Sequence, residues 1–102
     1  MPDNRQSKPE NDGPWFLYIV ECRDGSLYTG ITNDLERRLQ QHNEGTAARY
    51  TRSRRPVRMR YSEVCETRSN ALVRECAIRL LSPKEKWALV EEYERRRARD
   101  AP

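Results

Sequence analysis

Apolar and polar positions divide the chain into short stretches of different period. WFLYIVEC (15–22) is a β-branched and aromatic run that reads as a buried strand, and SLYTGI (26–31) reads as its partner. Asp24-Gly25 between them is a hairpin signal. Leu35 and Leu39 then recur at helical spacing, with Asn33 and Glu36 as a capping pair and Gly45 beyond the end. VRMRYSEV (57–64) alternates, which places Val57, Met59 and Tyr61 on one face of a third strand. A second helix opens at Thr67, with apolar positions that include Leu72, Val73, Cys76 and Leu80. Ser82-Pro83-Lys84-Glu85 starts a third: serine caps, proline fits the first helical position, and glutamate reaches back. That helix buries Trp87 and Val90, with Tyr93 at the margin, and frays in ERRRARDAP (94–102). The order strand, strand, helix, strand, helix, helix predicts an α+β fold, a small three-stranded antiparallel sheet packed with about three helices.

Composition confines this fold to one domain. A chain of 102 residues supports a single modest core, expected over residues 14–94 between a disordered tail (1–13) and a charged C-terminal tail (95–102). The opening MPDNRQSKPENDG holds no apolar run, so no signal peptide is expected, and no stretch approaches membrane-spanning length. Three cysteines without a C-x-x-C pair argue against a disulfide framework or zinc knuckle and fit a reducing cytoplasm.

Charge changes the picture more. Residues 1–35 carry 3 basic and 6 acidic side chains, residues 36–60 carry 8 and 2, and residues 61–102 carry 9 and 8. The segment from Arg49 to Arg60 has six arginines and no acid. Such a block seeks phosphates, for which a planar guanidinium fork is well suited; the bland alternative is a solvated loop.

LYIV (17–20), LYTG (27–30), an arginine at 38, a histidine at 42 and a glutamate at 75 together resemble the GIY-YIG nuclease domain superfamily. The spacing is most similar to its short single-domain bacterial proteins of the YhbQ (UPF0213) type, over about residues 14–93. Phe16-Leu17-Tyr18 stands where that family has Gly-Ile-Tyr, and the late asparagine of many family endonucleases has no counterpart, the last one here being Asn70. The resemblance implies a metal-dependent endonuclease acting on DNA, in branched, nicked or partly single-stranded forms. RNA stays open as a ligand, because phosphate contacts alone do not distinguish the sugars. A nucleic-acid-binding module that keeps the fold without efficient catalysis is the second reading.

By the same resemblance Glu75 holds one Mg²⁺ or Mn²⁺ and Arg38 neutralises the phosphate, while Tyr18 takes the role of base. Tyr28 orients water or substrate and His42 bonds the phosphate or supports a tyrosine. The sequence leaves the roles of Tyr18, Tyr28 and His42 interchangeable. Each residue also has a structural reading: core tyrosines, a stem of Arg38 laid beside Leu35 and Leu39, His42 as a satisfied structural histidine, and an i,i+4 pair between Glu75 and Arg79. Arg49, Arg52, Arg54 and Arg55 are expected to position nucleic acid, and Gly30 to admit a phosphate or form a bulge.

Register supplies a geometric condition. A two-residue Asp24-Gly25 turn would put Tyr18 and Tyr28 on opposite faces of the sheet. A three-residue Arg23-Asp24-Gly25 loop pairs Val20 with Tyr28 and aligns both tyrosines on one face. The shared site requires the second, with positive φ at Gly25.

Overall fold

A computed structural model describes residues 14–101, so the expected N-terminal tail lies outside the described residues. Strands β1 (Trp15–Glu21), β2 (Leu27–Thr32) and β3 (Arg58–Cys65) form an antiparallel sheet in the order β2-β1-β3. Helices α1 (Leu35–Glu44), α2 (Arg49–Arg52), α3 (Arg68–Arg79) and α4 (Pro83–Asp100) complete the chain. The α+β expectation holds, with one short helix, α2, added inside the arginine segment.

The hairpin adopts the three-residue loop. Cys22 N–H donates to the Ser26 carbonyl at 2.8 Å, Gly25 N–H to the Cys22 carbonyl at 2.9 Å, and Gly25 has φ +86°. Tyr18 consequently pairs with Gly30 and Val20 with Tyr28. Alternation along the central strand then builds two cores. Leu17 and Ile19 pack with Cys65 and with Ala71 and Ile78 of α3. Tyr18, Val20 and Cys22 pack on the other face with Val57, Tyr28 and Leu35 and Leu39 of α1.

Three sequence expectations are corrected, and the inward face of α3 is defined. Asp34, not Asn33, caps α1, its carboxylate accepting from Arg37 N–H at 3.1 Å, because Asp34 is the extended residue immediately before the first helical turn. Tyr61 does not share a face with Val57 and Met59. Ile19 pairs with Tyr61 but Val20 with Met59, so Arg60 is an extra residue that switches the following side chains to the α3 face. α3 turns Ala71, Glu75 and Ile78 inward, leaving Leu72, Val73, Cys76 and Leu80 exposed. The small Ala71 lets the helix sit close to the sheet, and that rotation carries Glu75 toward the hairpin. Finally, α4 does not fray after Tyr93 but continues to Asp100, where Arg95 and Arg96 ion-pair with Glu92 at one-turn spacing.

Candidate active site

The site begins with a glycine. Tyr18 projects across β2 at Gly30, where an added Cβ would lie 2.6 Å from the Tyr18 hydroxyl and 2.7 Å from Cζ. The space above Gly30, expected to form a bulge or admit a phosphate, is filled by this phenol, and the β1–β2 ladder runs through it without a register shift. The phenol thus emerges toward the β2 edge.

There it meets α1. The Tyr18 hydroxyl lies 2.7 Å from His42 Nε2, and His42 Nδ1 lies 2.8 Å from Thr51 Oγ1. Thr51 donates its hydroxyl hydrogen to the Ala48 carbonyl at 3.3 Å, so its oxygen accepts from His42 Nδ1–H. That fixes Nε2 as the bare nitrogen and makes Tyr18 the donor to it. The whole chain is buried: Tyr18 is 2% exposed, His42 1% and Thr51 0%.

Burial raises the Tyr18 phenol well above its ordinary value, against a smaller opposing pull from the Arg38 charge. Burial also pushes His42 down to about 4, and Arg38 adds to that shift. In the unfolded chain the imidazole titrates near 6.5. Between these values the unfolded chain binds the additional proton, so His42 makes stability rise with pH across the window and fall as pH drops through it. Thermal midpoints should therefore decrease from pH 7 to pH 5, while carboxylates remain ionised. His42→Gln should flatten that limb; an unaltered slope in the variant would assign the loss to other groups.

Arg38 stands one turn before His42, its charge felt by both His42 and Tyr18, and its Nε is buried with no hydrogen-bond partner. Tyr28 packs edge-on against His42 at 5.4 Å and stacks on Tyr50 at 5.9 Å; its hydroxyl makes no hydrogen bond among the described residues. Glu75 approaches the same edge from α3. Its carboxylate pairs with Arg79 at 3.0 Å, its side chain is only 18% exposed, and its charge acts on Tyr18. Arg79 also reaches the Thr29 carbonyl at 3.4 Å, which places it at the outer side of β2. A cleft of about 360 Å³ opens there, lined by Leu27, Tyr28, Thr29, Tyr50, Arg79 and Lys86.

Tyr18, Tyr28, Arg38, His42 and Glu75 are thus gathered at one sheet edge. The four loop arginines divide. Arg54 lies over the Tyr50 ring at 3.8 Å and bonds Asp24 at 3.1 Å and the Tyr50 carbonyl at 2.8 Å. Arg55 donates to the Arg52 and Asn43 carbonyls at 2.8 and 3.4 Å. Both help to hold the loop, whereas Arg49 and Arg52 are exposed, without side-chain partners among the described residues. Sequence reasoning missed Thr51, Tyr50 and Lys86. Thr51 and Tyr50 lie on a four-residue helix too short to show a period, and Lys86 reads as an ordinary surface lysine.

The residues fit a hard, well-hydrated cation better than a caged one. Among the described residues no three His, Cys, Asp or Glu side chains cluster, so a bound ion would rest on the Glu75 carboxylate and water. Mg²⁺ and Mn²⁺ tolerate such a site; Zn²⁺, which favours several protein ligands, does not.

Residues 14–93 match the GIY-YIG catalytic domain, and the chain belongs to that family of nucleases. It is 54% identical to a UPF0213 protein of Desulfotalea psychrophila, over 86% of this chain and 82% of that one. Identity to a UPF0213 protein of Staphylococcus saprophyticus is 48%, over 76% and 94% of the two chains. Two solution NMR structures are similar. One, from E. faecalis, has TM-score 0.56 and 43% identity over 84% of this chain and 92% of that one. The other, the UPF0213 protein of Bacillus halodurans, has TM-score 0.51 and 38% identity over 78% and 84%. No helix among the described residues is long and apolar enough to cross a membrane.

Proposed function

We propose that this protein is a metal-dependent endonuclease hydrolysing phosphodiester bonds in DNA, with branched, nicked or partly single-stranded forms as substrates. The observation that carries this reading is the buried, unpartnered Nε of Arg38 beside the Tyr18–His42–Thr51 chain. A buried donor without a partner is costly, and a shift of the Arg38 side chain toward an incoming phosphate oxygen would satisfy it.

Tyr18 gives its hydrogen to His42, so the remaining lone pairs of the phenol oxygen are directed away from the imidazole. A water there would pass its proton to Tyr18 as Tyr18 passes its own to His42 Nε2. This relay suits a phenol held protonated by burial. His42 resists the proton in the free protein because it is buried and Arg38 repels the cation. A phosphate bound to Arg38 offsets that repulsion, so the relay becomes more favourable once substrate is seated. The free Tyr28 hydroxyl would orient the water or the phosphate. Glu75 would hold the Mg²⁺ or Mn²⁺, which when bound supplies positive charge to the phosphate and its leaving oxygen. A single small domain offers little surface for reading a long sequence, which favours substrates defined by shape.

The test incubates purified protein with end-labelled branched, nicked, single-stranded and duplex DNA in Mg²⁺, Mn²⁺ or EDTA. Cleavage is expected with either metal, with none in EDTA, and Glu75→Ala should be strongly impaired. Wild-type rates in Glu75→Ala, or persistence in EDTA, would remove the metal from the mechanism.

A further inference from the structure

A second basic depression lies on the other side of α2. Its volume is about 550 Å³, and it is lined by Arg23, Asn43, Arg52, Ser53, Arg55 and Pro56. Three of these are arginines and none is acidic. The neighbouring acid, Asp24, is turned instead to Arg54 and to Ser26. Like charges gathered without a counter-charge repel, and the potential they create favours a bound anion.

The depression is also held open in advance. Arg55 is anchored by Nε to the Arg52 carbonyl and by Nη1 to the Asn43 carbonyl in the last turn of α1, leaving most of its five N–H donors unspent. Gly45 makes room for that guanidinium: an added Cβ would lie 2.9 Å from Arg55 Nη1, and the residue has φ +86°. Arg23 is tied in from the hairpin, its backbone N–H donating to the Arg54 carbonyl at 2.9 Å. The side chains of Arg23 and Arg52 have no partner among the described residues and stand over the same space. One fixed guanidinium with spare donors, flanked by two uncommitted ones, suits phosphate oxygens.

We propose that this depression is a second phosphate site, distinct from the one beside Arg38, which grips a backbone phosphate of the same polynucleotide. The proposal rests on the nuclease reading. α2 separates the two sites, presenting Tyr50 to the catalytic edge and Arg52 to the depression. A chain held at both must pass around α2, an easier path for a flexible or branched strand than for a straight duplex.

Binding can be measured without cleavage, by fluorescence anisotropy of a labelled single-stranded DNA in EDTA across a salt series. Arg23→Ala and Arg52→Ala should each weaken affinity about tenfold at low salt and lower the salt slope by about 0.7. Arg52→Lys should retain most of the slope. Neither arginine side chain bonds the protein, so both alanine variants should melt like the wild type. Unchanged affinity and slope in the double variant would overturn the second site while leaving the nuclease reading intact. A wild type that neither binds nor cleaves any DNA form would overturn both. Comparing 5′-phosphorylated with 5′-hydroxyl oligonucleotides separates the sources of phosphate. Equal affinity assigns an internal phosphodiester, and a preference lost in the double variant assigns a terminal phosphate.

Discussion

Arg38→Ala should slow cleavage by about 10²–10³-fold without unfolding the protein, the usual effect of removing one preorganised charge from a reacting centre. The two halves of that expectation come from the same observation. Arg38 Nε is buried and bonds nothing, so the fold gives up no hydrogen bond when it is removed. Its charge also disfavours protonation of His42, and the variant should therefore show His42 titrating at higher pH than in the wild type. A residue kept for stability would behave oppositely, with a lower melting midpoint and an unaffected rate per folded molecule. Arg38→Lys should recover only a small part of the loss, because an ammonium is a point charge without the guanidinium fork. The measurements are single-turnover cleavage at saturating metal, thermal melting, and NMR titration of the lone imidazole. Full activity in folded Arg38→Ala protein would remove the residue from the phosphate.

How much of this arrangement could be read from the residues depends on the kind of signal each element carries. The hairpin was legible down to its register, because a glycine in the left-handed region and the demand for two tyrosines on one face select one loop length. α4 declared its start through a complete capping box, Ser82 accepting from Glu85 N–H at 3.1 Å and Glu85 accepting from Ser82 N–H at 2.8 Å. The inward face of α3 was not legible, for a physical reason. Leucine and valine outweigh alanine in any apolar pattern, yet close packing on a sheet favours the small side chain, so Ala71 and Ile78 are buried while Leu80 is 83% exposed. The bulge at Arg60 left no local mark either, since nothing in an alternating strand announces a skipped partner. At the site, Tyr18, Tyr28, Arg38, His42 and Glu75 were named as a set only through the family resemblance, each alone having an ordinary structural reading. Their direction of hydrogen bonding was not legible: it depends on Thr51, which long-range folding of the arginine segment brings beneath His42.

Gly30→Ala should be the most damaging conservative change in the chain. On intrinsic grounds alanine should do no harm in a strand, since glycine there costs conformational entropy. Here the new Cβ would lie 2.6 Å from the Tyr18 hydroxyl and 2.7 Å from Cζ, closer than such atoms can stand. The ring has little freedom to yield, being 2% exposed and set edge-on to His42 at 5.7 Å. Forcing it aside opens the 2.7 Å contact to His42 and leaves a buried imidazole nitrogen without a donor. Overpacking and the orphaned nitrogen each cost about 1–3 kcal/mol, so a loss of about 2–6 kcal/mol is expected, with cleavage falling at least as far as in Tyr18→Phe. A double-mutant cycle separates the causes. In a Tyr18→Phe background only the overpacking part should persist, because the ring carbon remains in the way while the hydrogen bond to His42 is already gone. In a Tyr18→Leu background most of it should vanish, because the shorter side chain no longer reaches across β2. A Gly30→Ala protein as stable and active as the wild type would mean that Tyr18 does not lie over Gly30, and the proton path through His42 would fall with it.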